Sequence, residues 1–583
     1  MDAFEHRHTY HVSIALRILP LVFLLAAHVS AQFADPSSSR NASNPRATRS
    51  TKPVVLRNAA IYTGDQSAPW AQSFAYSENG IILHVGSNKA VTKALQQAGI
   101  TDVNRVDMKG AFVMPSFQDI HTHIPEAGIN SISGLFCTLQ TGRSVKQYVS
   151  DLRKCAQNEE SSDSWLRAAG ASLYAFDEDT SPLKMLDEEF PSRPVIVLDD
   201  LGHGAWINSR AMKLAGIEGD DDPQGGMYGW DEAGDFNGLL FENAQQKARD
   251  AAKLTYRDMY DGLLEALYIV AKNGITTVSD AGGFWTRGIV DLWLDALEND
   301  DVTVRAKNSL YIYPDMKLRK QLRKVNELYR NGKGEDDLVS FNTAKIYVDG
   351  ILGLGTALLL DDYDYPLNEE YPRGFPYFKN SALKKYTREL IKNGFAINFH
   401  SIGDGAVRKA LDVLESIPNS KKSRSRITHA YMIDAADDAR FKKLNVIPDF
   451  QMAPDGISKS YQEEMSELIG DRAYELIPTK RLLAAGATVT ISSDWDADPI
   501  SPITSMMRAL QSKRVPDLET AIKLWTLNPA YALRHDDVTG SLEKGKYADY
   551  VVLSKNLFDI KTGAFKKVKV KKTVLGGRVV YEQ

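Results

Sequence analysis

The chain has 583 residues, of which 43% are hydrophobic and 25% are charged, a balance typical of a folded globular protein. This length exceeds one ordinary domain, although barrels of alternating strands and helices often reach such sizes. A formal net charge of −5 predicts neither a nucleic-acid partner nor a basic membrane-binding face.

Residues 1–31 have the pattern of a secretory signal peptide. Arg17 precedes an apolar run, and Val29-Ser30-Ala31 is a small-x-small site that predicts cleavage after Ala31. The apolar run has about ten residues, too few for a membrane anchor, which needs about 20. We therefore expect a protein that is secreted or enters the endomembrane lumen, with no stable membrane insertion after cleavage.

Residues 32–52 are rich in Ser, Asn, Arg and Thr and lack apolar periodicity. Such a composition cannot bury a core, so it predicts a disordered linker. Asn41-Ala42-Ser43 within the linker is an acceptor sequence for N-glycosylation, which makes Asn41 a candidate glycosylation site.

Both ends of the folded part read as short strands broken by turns. In residues 53–112, Asn79-Gly80 between alternating apolar runs is typical of a β-hairpin. Residues 540–583 have the same pattern. Because neither end alone has enough strands to bury a face, we predict that both pair into one composite β-sandwich.

Residues 113–539 alternate between apolar strand-like runs and helical stretches such as 260–272 and 406–416. The predicted strands include residues 273–280, 344–349, 395–400, 426–429, 446–450 and 487–494. Alternation of this kind predicts an α/β fold with a parallel sheet or barrel.

An insertion is predicted between the first barrel strand and the later ones. Residues 123 and 345 are 222 positions apart, far more than two or three units of roughly 30 residues require. We place an α+β insertion at about residues 125–265, where it would roof the cavity and carry substrate specificity.

The insertion contains the only two cysteines of the chain, Cys137 and Cys155. In an oxidising compartment they could form one disulfide. The alternative is two free buried thiols, and the sequence leaves both options open because the distance between the Cα atoms is unknown.

Six potential metal ligands stand at the ends of predicted strands: His121, His123, Lys345, His400, His429 and Asp494. A barrel brings the C-terminal ends of its parallel strands to one cavity, so these side chains can converge there. His121 and His123 are two apart on a strand, and both imidazoles can therefore bind the same cation.

Each of the remaining candidates also has a structural alternative. His400 and His429 could be packed core residues, and Asp494 could cap the next helix. Lys345 is harder to interpret, because an ammonium has no lone pair for a cation. It is a ligand only when carboxylated by carbon dioxide, and otherwise acts as a cation or as a structural residue.

The order His-x-His, Lys, His, His, Asp resembles the amidohydrolase superfamily, specifically the amidohydrolase-3 branch that includes N-substituted formamide deformylases. The matching segments are residues 113–123, 203–209, 238–244, 345–357, 400–406, 426–430, 493–494 and 540–549. Ser116, Leu354 and Gly355 depart from the family pattern without removing a ligand.

The resemblance implies a distorted (β/α)8 TIM-like barrel, a composite β-sandwich and a centre of one or two divalent metals, most often zinc. Carried over, the first metal is held by His121, His123 and Asp494, and the second by His400 and His429, with carboxylated Lys345 bridging them. The metals then provide a hydroxide nucleophile, and Asp494 serves as general base and later as general acid.

We therefore expect a metal-dependent hydrolase that cleaves a non-peptide C–N bond in a small molecule, such as an amide, an N-substituted formamide or a cyclic amide. The alternatives are an esterase or deaminase of the same fold, and a non-catalytic binding protein with a barrel. His203 and Trp206 in the insertion are candidate substrate contacts, with packing as their other role. The oligomeric state is open, with a homodimer as one option.

Overall fold

A computed structural model describes residues 50–583, apart from residue 133, residues 158–164, 174–175, 177–180 and 219–220, residue 232, and residues 333–336 and 454–455. The predicted signal peptide, Asn41 and the linker up to residue 49 therefore lie outside the described residues. Within the described part of the chain, no helix combines the length and the apolar character that crossing a bilayer requires.

Twenty-four strands and seventeen α-helices make up the described structure. The strands are β1 (Val54–Arg57), β2 (Ala60–Tyr62), β3 (Trp70–Ala71), β4 (Ser73–Tyr76), β5 (Ile82–Gly86), β6 (Asn104–Asp107), β7 (Phe112–Pro115), β8 (Phe117–Thr122), β9 (Cys137–Thr138), β10 (Leu166–Ala171), β11 (Val195–Asp199), β12 (Gly204–Ile207), β13 (Gly226–Trp230), β14 (Phe236–Glu242), β15 (Ile275–Asp280), β16 (Arg305–Tyr311), β17 (Val339–Tyr347), β18 (Ala396–Ser401), β19 (Arg426–His429), β20 (Ile447–Gln451), β21 (Thr490–Ser492), β22 (Tyr550–Leu553), β23 (Val570–Leu575) and β24 (Arg578–Glu582). The helices are α1 (Asn88–Gln97), α2 (Ile124–Ser131), α3 (Val145–Gln157), α4 (Pro182–Glu189), α5 (Ser209–Ala215), α6 (Gln246–Ala251), α7 (Tyr256–Lys272), α8 (Ile289–Glu298), α9 (Leu318–Glu327), α10 (Asn380–Lys392), α11 (Asp404–Glu415), α12 (Asp438–Leu444), α13 (Lys459–Ile469), α14 (Thr479–Ala484), α15 (Pro502–Gln511), α16 (Leu518–Trp525) and α17 (Leu527–Ala532).

The two ends of the chain share one β-domain. β7 pairs antiparallel with β22, with Met114 opposite Val551, in a six-stranded sheet of order β24-β23-β22-β7-β2-β3. A second sheet has the order β5-β4-β1-β6. Phe74, Val113 and Tyr550 are buried in one apolar cluster of this domain. The composite β-domain predicted from the sequence is thus confirmed.

Eight parallel strands form the barrel, in the order β8-β15-β16-β17-β18-β19-β20-β21. The ring closes beside the last strand, where the Asp494 amide donates to the His121 carbonyl at 2.9 Å and Thr122 bridges to Trp495. Barrel strands are covered on both sides, which explains why they are nearly continuous buried runs. The predicted distorted (β/α)8 architecture is confirmed.

The helices around the barrel pack through apolar stripes of helical spacing. In α11, Val407, Leu411 and Leu414 are buried in the main core. Their spacing of three and four residues places them on one side of the helix, facing the strands. The neighbouring strand β18 contributes Ile397 and Phe399 to the same core, and its alternate residues, including His400, are left for the barrel interior.

The first barrel strand begins at Phe117, four residues later than the predicted boundary at residue 113. The apolar run continues through Ser116 without a break in composition, so the sequence does not mark where one sheet ends and the next begins. The decisive contact is long-range, since β7 has its partner β22 in the C-terminal part of the chain.

The inserted subdomain lies between α2 and α7 and has its own six-stranded sheet, of order β13-β14-β12-β11-β10-β9. The predicted end at residue 265 falls inside α7, which belongs to the barrel because Leu263 and Leu267 are buried in its core. At Gly128 and Gly262 the backbones of α2 and α7 approach so closely that a Cβ on either residue would clash.

The two cysteines of the insertion form a disulfide. Cys137 in β9 and Cys155 in α3 have Cα atoms 5.9 Å apart, within the usual range for a bridge. Of the two options left open by the sequence, a disulfide or two free thiols, the structure therefore has the disulfide.

Candidate metal centre

All six predicted ligands lie at or just beyond the C-terminal ends of barrel strands. They are His121 in β8, His123 just after it, Lys345 in β17, His400 in β18, His429 in β19 and Asp494 just after β21. Lys345 and His121 are fully buried, whereas the side chains of His123 and Asp494 retain 17% and 16% exposure. The centre is therefore reached from the side where the inserted subdomain sits.

Three of these side chains converge tightly. Nε2 of His121 lies 3.1 Å from Oδ1 of Asp494, and Nε2 of His123 lies 3.3 Å from the same oxygen. All three donor atoms fall within 4.8 Å of one another. A tetrahedral ion with bonds of roughly 2.0–2.2 Å would separate its ligands by about 3.3–3.6 Å, close to these values.

The hydrogen bonds around His121 show which nitrogen is free. The Thr428 hydroxyl donates to Oδ2 of Asp449 at 2.9 Å, so it accepts from Nδ1–H of His121 at 2.7 Å. Nε2 then carries a lone pair, and it lies 3.1 Å from Oδ1 of Asp494 and 3.2 Å from Nζ of Lys345. That oxygen is buried and has no hydrogen bond within the described structure. Two acceptors facing each other at 3.1 Å without a proton fit a cation between them.

His400 and His429 form the second half of the centre, with ring centroids 4.4 Å apart. Nε2 of His400 donates to the Gly350 carbonyl at 3.1 Å, and its Nδ1 is buried without a hydrogen bond from any described residue. Gln451 donates to Ser492 at 2.8 Å, so its Oε1 accepts from Nδ1–H of His429 at 2.9 Å. Each ring thus keeps one free lone pair.

Three of the four imidazoles, those of His121, His400 and His429, are held in the neutral form that binds metals, whereas the Asp494 carboxylate raises the pKa of His123. Burial lowers the pKa of His121 and His400 well below the usual range, and it lowers the pKa of His429 to about 3. Nearby charges strengthen the effect, with Lys345 acting on His121 and His429 acting on His400. Neutral imidazole is the state in which a histidine ligates.

Lys345 completes the group of residues at the centre. Its Nζ lies 3.2 Å from Nε2 of His121 and 5.0 Å from the centre of the Tyr347 ring. Burial lowers the pKa of Lys345 to about 7. A neutral amine is the form that can react with carbon dioxide, so the residue is suited to carboxylation.

Backbone conformations at the centre are unusual. His429 and Asp494 have positive φ angles of 70° and 58°, in the left-handed region that non-glycine residues seldom adopt. Such conformations cost on the order of 1–3 kcal/mol each and persist where the surrounding structure fixes them. At Asp494 the fixing contact is the hydrogen bond from its backbone amide to the His121 carbonyl, which closes the barrel.

His203 reaches the centre from the inserted subdomain. Its ring lies 5.2 Å from that of His400 and 5.9 Å from that of Tyr347. Nδ1 donates to Oε2 of Glu242 at 2.6 Å, and this carboxylate also accepts from the Tyr377 hydroxyl at 2.6 Å. The histidine ring is therefore oriented by a buried acid on the side away from the centre.

Trp206, the other candidate substrate contact, packs inside the inserted subdomain. Its side chain is fully buried, donates from Nε1 to the Pro182 carbonyl at 2.8 Å and packs edge-on against Phe176. It therefore forms part of the core of the inserted subdomain, the second of the two roles considered from the sequence.

Sequence reasoning missed the residues that orient the ligands, namely Glu242, Tyr347, Thr428, Asp449 and Gln451. For Thr428, Asp449 and Gln451 the sequence does contain a local pattern that could have identified them. Asp449 and Gln451 alternate on β20, so both point to one side, and Thr428 directly precedes a ligand. Glu242 lies in a segment noted only for its resemblance to the family.

A sequence profile of the amidohydrolase family matches residues 105–581, which is most of the chain. The chain belongs to the amidohydrolase family. As a member of this family it is a metal-dependent hydrolase that acts on C–N bonds, in agreement with the ligand set gathered at the barrel mouth.

Curated relatives of this amidohydrolase span nearly the whole chain. It is 27% identical over 564 residues to the protein LONG AFTER FAR-RED 3 of Arabidopsis thaliana, covering 91% of each. It is 26% identical to the putative amidohydrolase YtcJ of Bacillus subtilis, covering 91% of this chain and 99% of the relative. An N-substituted formamide deformylase of Arthrobacter pascens is 24% identical, with 91% and 98% covered.

Solved structures agree on the fold. An uncharacterized metal-dependent hydrolase from Pyrococcus horikoshii superposes with a TM-score of 0.69 at 22% identity, covering 88% of this amidohydrolase and 99% of that chain. A second one, from Pyrococcus furiosus, gives 0.65 at 23% identity, with 86% and 99% covered.

Proposed function

We propose that this amidohydrolase cleaves a non-peptide C–N bond in a small molecule, namely an amide, an N-substituted formamide or a cyclic amide. The observation that carries the proposal is the convergence of His121, His123 and Asp494, whose donor atoms all lie within 4.8 Å of one another. The deformylase relative, whose name specifies N-substituted formamides, supports the C–N bond as the target.

The residues fit a centre of one or two zinc ions. One ion would be held by His121, His123 and Asp494, and a second by His400 and His429, with carboxylated Lys345 shared between them. A bound divalent cation lowers the pKa of coordinated water towards neutrality and polarises a carbonyl oxygen.

Asp494 is placed to move the proton. Its Oδ1 faces the two imidazoles of His121 and His123, while its Oδ2 lies 3.8 Å from His429. The partly exposed carboxylate can take a proton from the attacking water and deliver it to the departing amine nitrogen. Hydrolysis then yields a carboxylic acid and an amine.

His203 is proposed as a substrate contact. Its side chain is 12% exposed and lies beside the rings of His400 and Tyr347 at the mouth of the barrel. Because Glu242 occupies Nδ1, the Nε2 side of the ring is left for the substrate.

Metal analysis combined with a substrate panel tests the function. We expect wild-type protein to contain bound zinc and to hydrolyse amides, and His121→Ala to lose metal and activity together. His84→Ala, on β5 of the β-domain, is the matched control and should keep both. Unchanged metal stoichiometry in His121→Ala would contradict the site, and turnover confined to esters or amino-heterocycles would favour the esterase or deaminase alternative.

We also propose that the protein enters the secretory pathway, loses residues 1–31 and carries a glycan at Asn41. The Cys137–Cys155 disulfide supports an oxidising compartment. Expression in a secreting host, followed by intact-mass analysis with and without glycosidase, measures both features. A mature protein that begins at Met1, or whose mass is the same in wild type and Asn41→Gln, contradicts the respective part.

A further inference from the structure

Arg249, on helix α6 of the inserted subdomain, carries a guanidinium without a matching acid. Its only hydrogen bond within the described structure runs from Nη1 to Oε1 of Gln245 and is long, at 3.4 Å. No carboxylate of the described residues lies within ion-pair distance of it, although the side chain is partly buried. Buried arginines normally have such partners.

A second arginine at the same aromatic ring, Arg287, does have carboxylate partners and serves as a comparison. Arg249 and Arg287 both lie over the ring of Phe284, at 5.9 and 4.1 Å from its centre. Arg287 donates to Asp250 at 2.8 Å and lies 3.8 Å from Glu126. Asp250 and Glu126 are thus engaged by Arg287, whereas the hydrogen bond of Arg249 goes to a neutral amide.

Arg249 lies next to the metal centre. Gln245, which holds it, also donates to the carbonyl of Gly202, the residue before His203. The ring of Phe284, over which Arg249 lies, contacts Tyr311, and Tyr311 contacts Tyr347, whose ring stacks on His400 with centroids 4.3 Å apart. Arg249 is therefore linked to the candidate ligands both through the inserted subdomain and through this row of rings.

A second unpaired donor belongs to a ring that contacts the same Phe284. The hydroxyl of Tyr311 is buried and has no hydrogen-bond partner in the described part of the chain. The Tyr311 ring lies 4.9 Å from that of Phe284, over which Arg249 lies, and 5.5 Å from that of Tyr347. A buried donor without an acceptor destabilises the protein, so a bound group that accepts from both side chains would relieve that cost.

We propose that Arg249 and Tyr311 bind a carboxylate of the substrate, so that the enzyme acts on amides that carry an acidic group. This inference rests on the hydrolase activity proposed above and names its substrate class. A carboxylate is planar and accepts two parallel hydrogen bonds from a guanidinium. The aromatic rings of Phe284, Tyr311 and Tyr347 would flank the apolar part of such a substrate.

Paired probes that differ only in charge test the proposal with the metal-loaded full chain. N-acetylphenylalanine carries the carboxylate, and N-acetylphenylalanine amide replaces it with a neutral group. We expect kcat/KM to favour the acid, and Arg249→Met to reduce the acid-to-amide ratio by roughly 10- to 100-fold, the usual effect of a hydrogen-bonded charged group. Tyr311→Phe should lower the same ratio less, because it removes a neutral donor.

Lys247→Met is the matched control, since Lys247 is an exposed cation on the same helix α6 and its loss should leave the ratio unchanged. An acid-to-amide ratio that is the same in wild type and Arg249→Met overturns the carboxylate site while leaving the hydrolase function intact.

A binding measurement covers the case in which neither probe is hydrolysed. Calorimetric titration of the metal-loaded protein with phenylacetate and phenylacetamide should show tighter binding of the acid, and Arg249→Met should abolish the preference. Equal affinities in wild type, or a preference that survives in Arg249→Met, overturn the proposal. Absence of turnover with amides, esters and amino-heterocycles alike, in protein of full metal content, counts against the proposed function instead.

Discussion

Thr428→Val tests whether the hydrogen bond behind His121 fixes this ligand for metal binding. The hydroxyl accepts from Nδ1–H of His121 at 2.7 Å and donates to Asp449 at 2.9 Å, and valine keeps the shape while removing both bonds. Without the acceptor, the proton is no longer confined to Nδ1, and the ring loses its orientation. Loss of such a contact typically costs 10- to 100-fold in metal affinity, or about 1.4–2.8 kcal/mol.

The same change affects folding, and this effect has to be separated from metal binding. Thr428→Val leaves the buried Nδ1–H of His121 without an acceptor, which costs about 1–3 kcal/mol of stability. Asp449 keeps its bonds from Thr490 at 2.8 Å and Ser492 at 2.7 Å. Thr490→Val is therefore the matched control, because it removes one bond to Asp449 and does not touch His121.

Competition with a chromophoric chelator measures the zinc affinity of both variants, and thermal melting in excess chelator measures the stability of each without metal. We expect both variants to melt below wild type, and only Thr428→Val to bind zinc 10- to 100-fold more weakly. The reasoning is refuted if Thr428→Val keeps wild-type affinity, or if Thr490→Val loses as much.

Two further changes probe stability away from the centre. Cys137→Ser with Cys155→Ser opens a link across a separation of 18 residues, and we expect unfolding of the insertion to become easier by about 3 kcal/mol, measured by denaturant titration; an unchanged midpoint would argue against a stabilising bridge. Arg305→Met leaves the buried carboxylate of Asp549 without its two bonds from the guanidinium, at 2.9 and 3.2 Å, and with only the bond from the Gly576 amide, and it should destabilise the protein by about 3–5 kcal/mol. Arg373→Met, which removes a solvent-exposed ion pair, should cost at most about 1 kcal/mol, and equal losses in the two arginine variants would contradict the role of burial.

The positions of five candidate ligands follow from local rules, whereas a ligand role for Lys345 came only from the resemblance to the family. His121, His400, His429 and Asp494 end apolar runs, and a parallel barrel brings such ends together whatever their separation in sequence. Alternation along β8 also pairs His123 with His121. No step in this reasoning requires knowledge of which helix packs where.

The residues that orient the ligands depend on contacts that no local pattern encodes. Glu242 meets His203, Thr356 and Tyr377 only because the insertion folds back over the barrel. The free guanidinium of Arg249 is recognisable only by comparison with Arg287, whose acids lie on two other helices. The start of the first barrel strand is hard to locate from sequence for a related reason, since the partner of β7 is far along the chain.

The contact that closes the barrel joins residue 121 to residue 494, and both are candidate ligands. During synthesis the early histidines leave the ribosome long before the carboxylate that completes their site. A partly made chain therefore holds imidazoles without their acid, and the open ring of strands cannot yet retain an ion. We therefore expect a divalent metal to be retained only after β21 has joined the barrel, and resistance of the bound metal to a chelator would report that the ring of strands is complete.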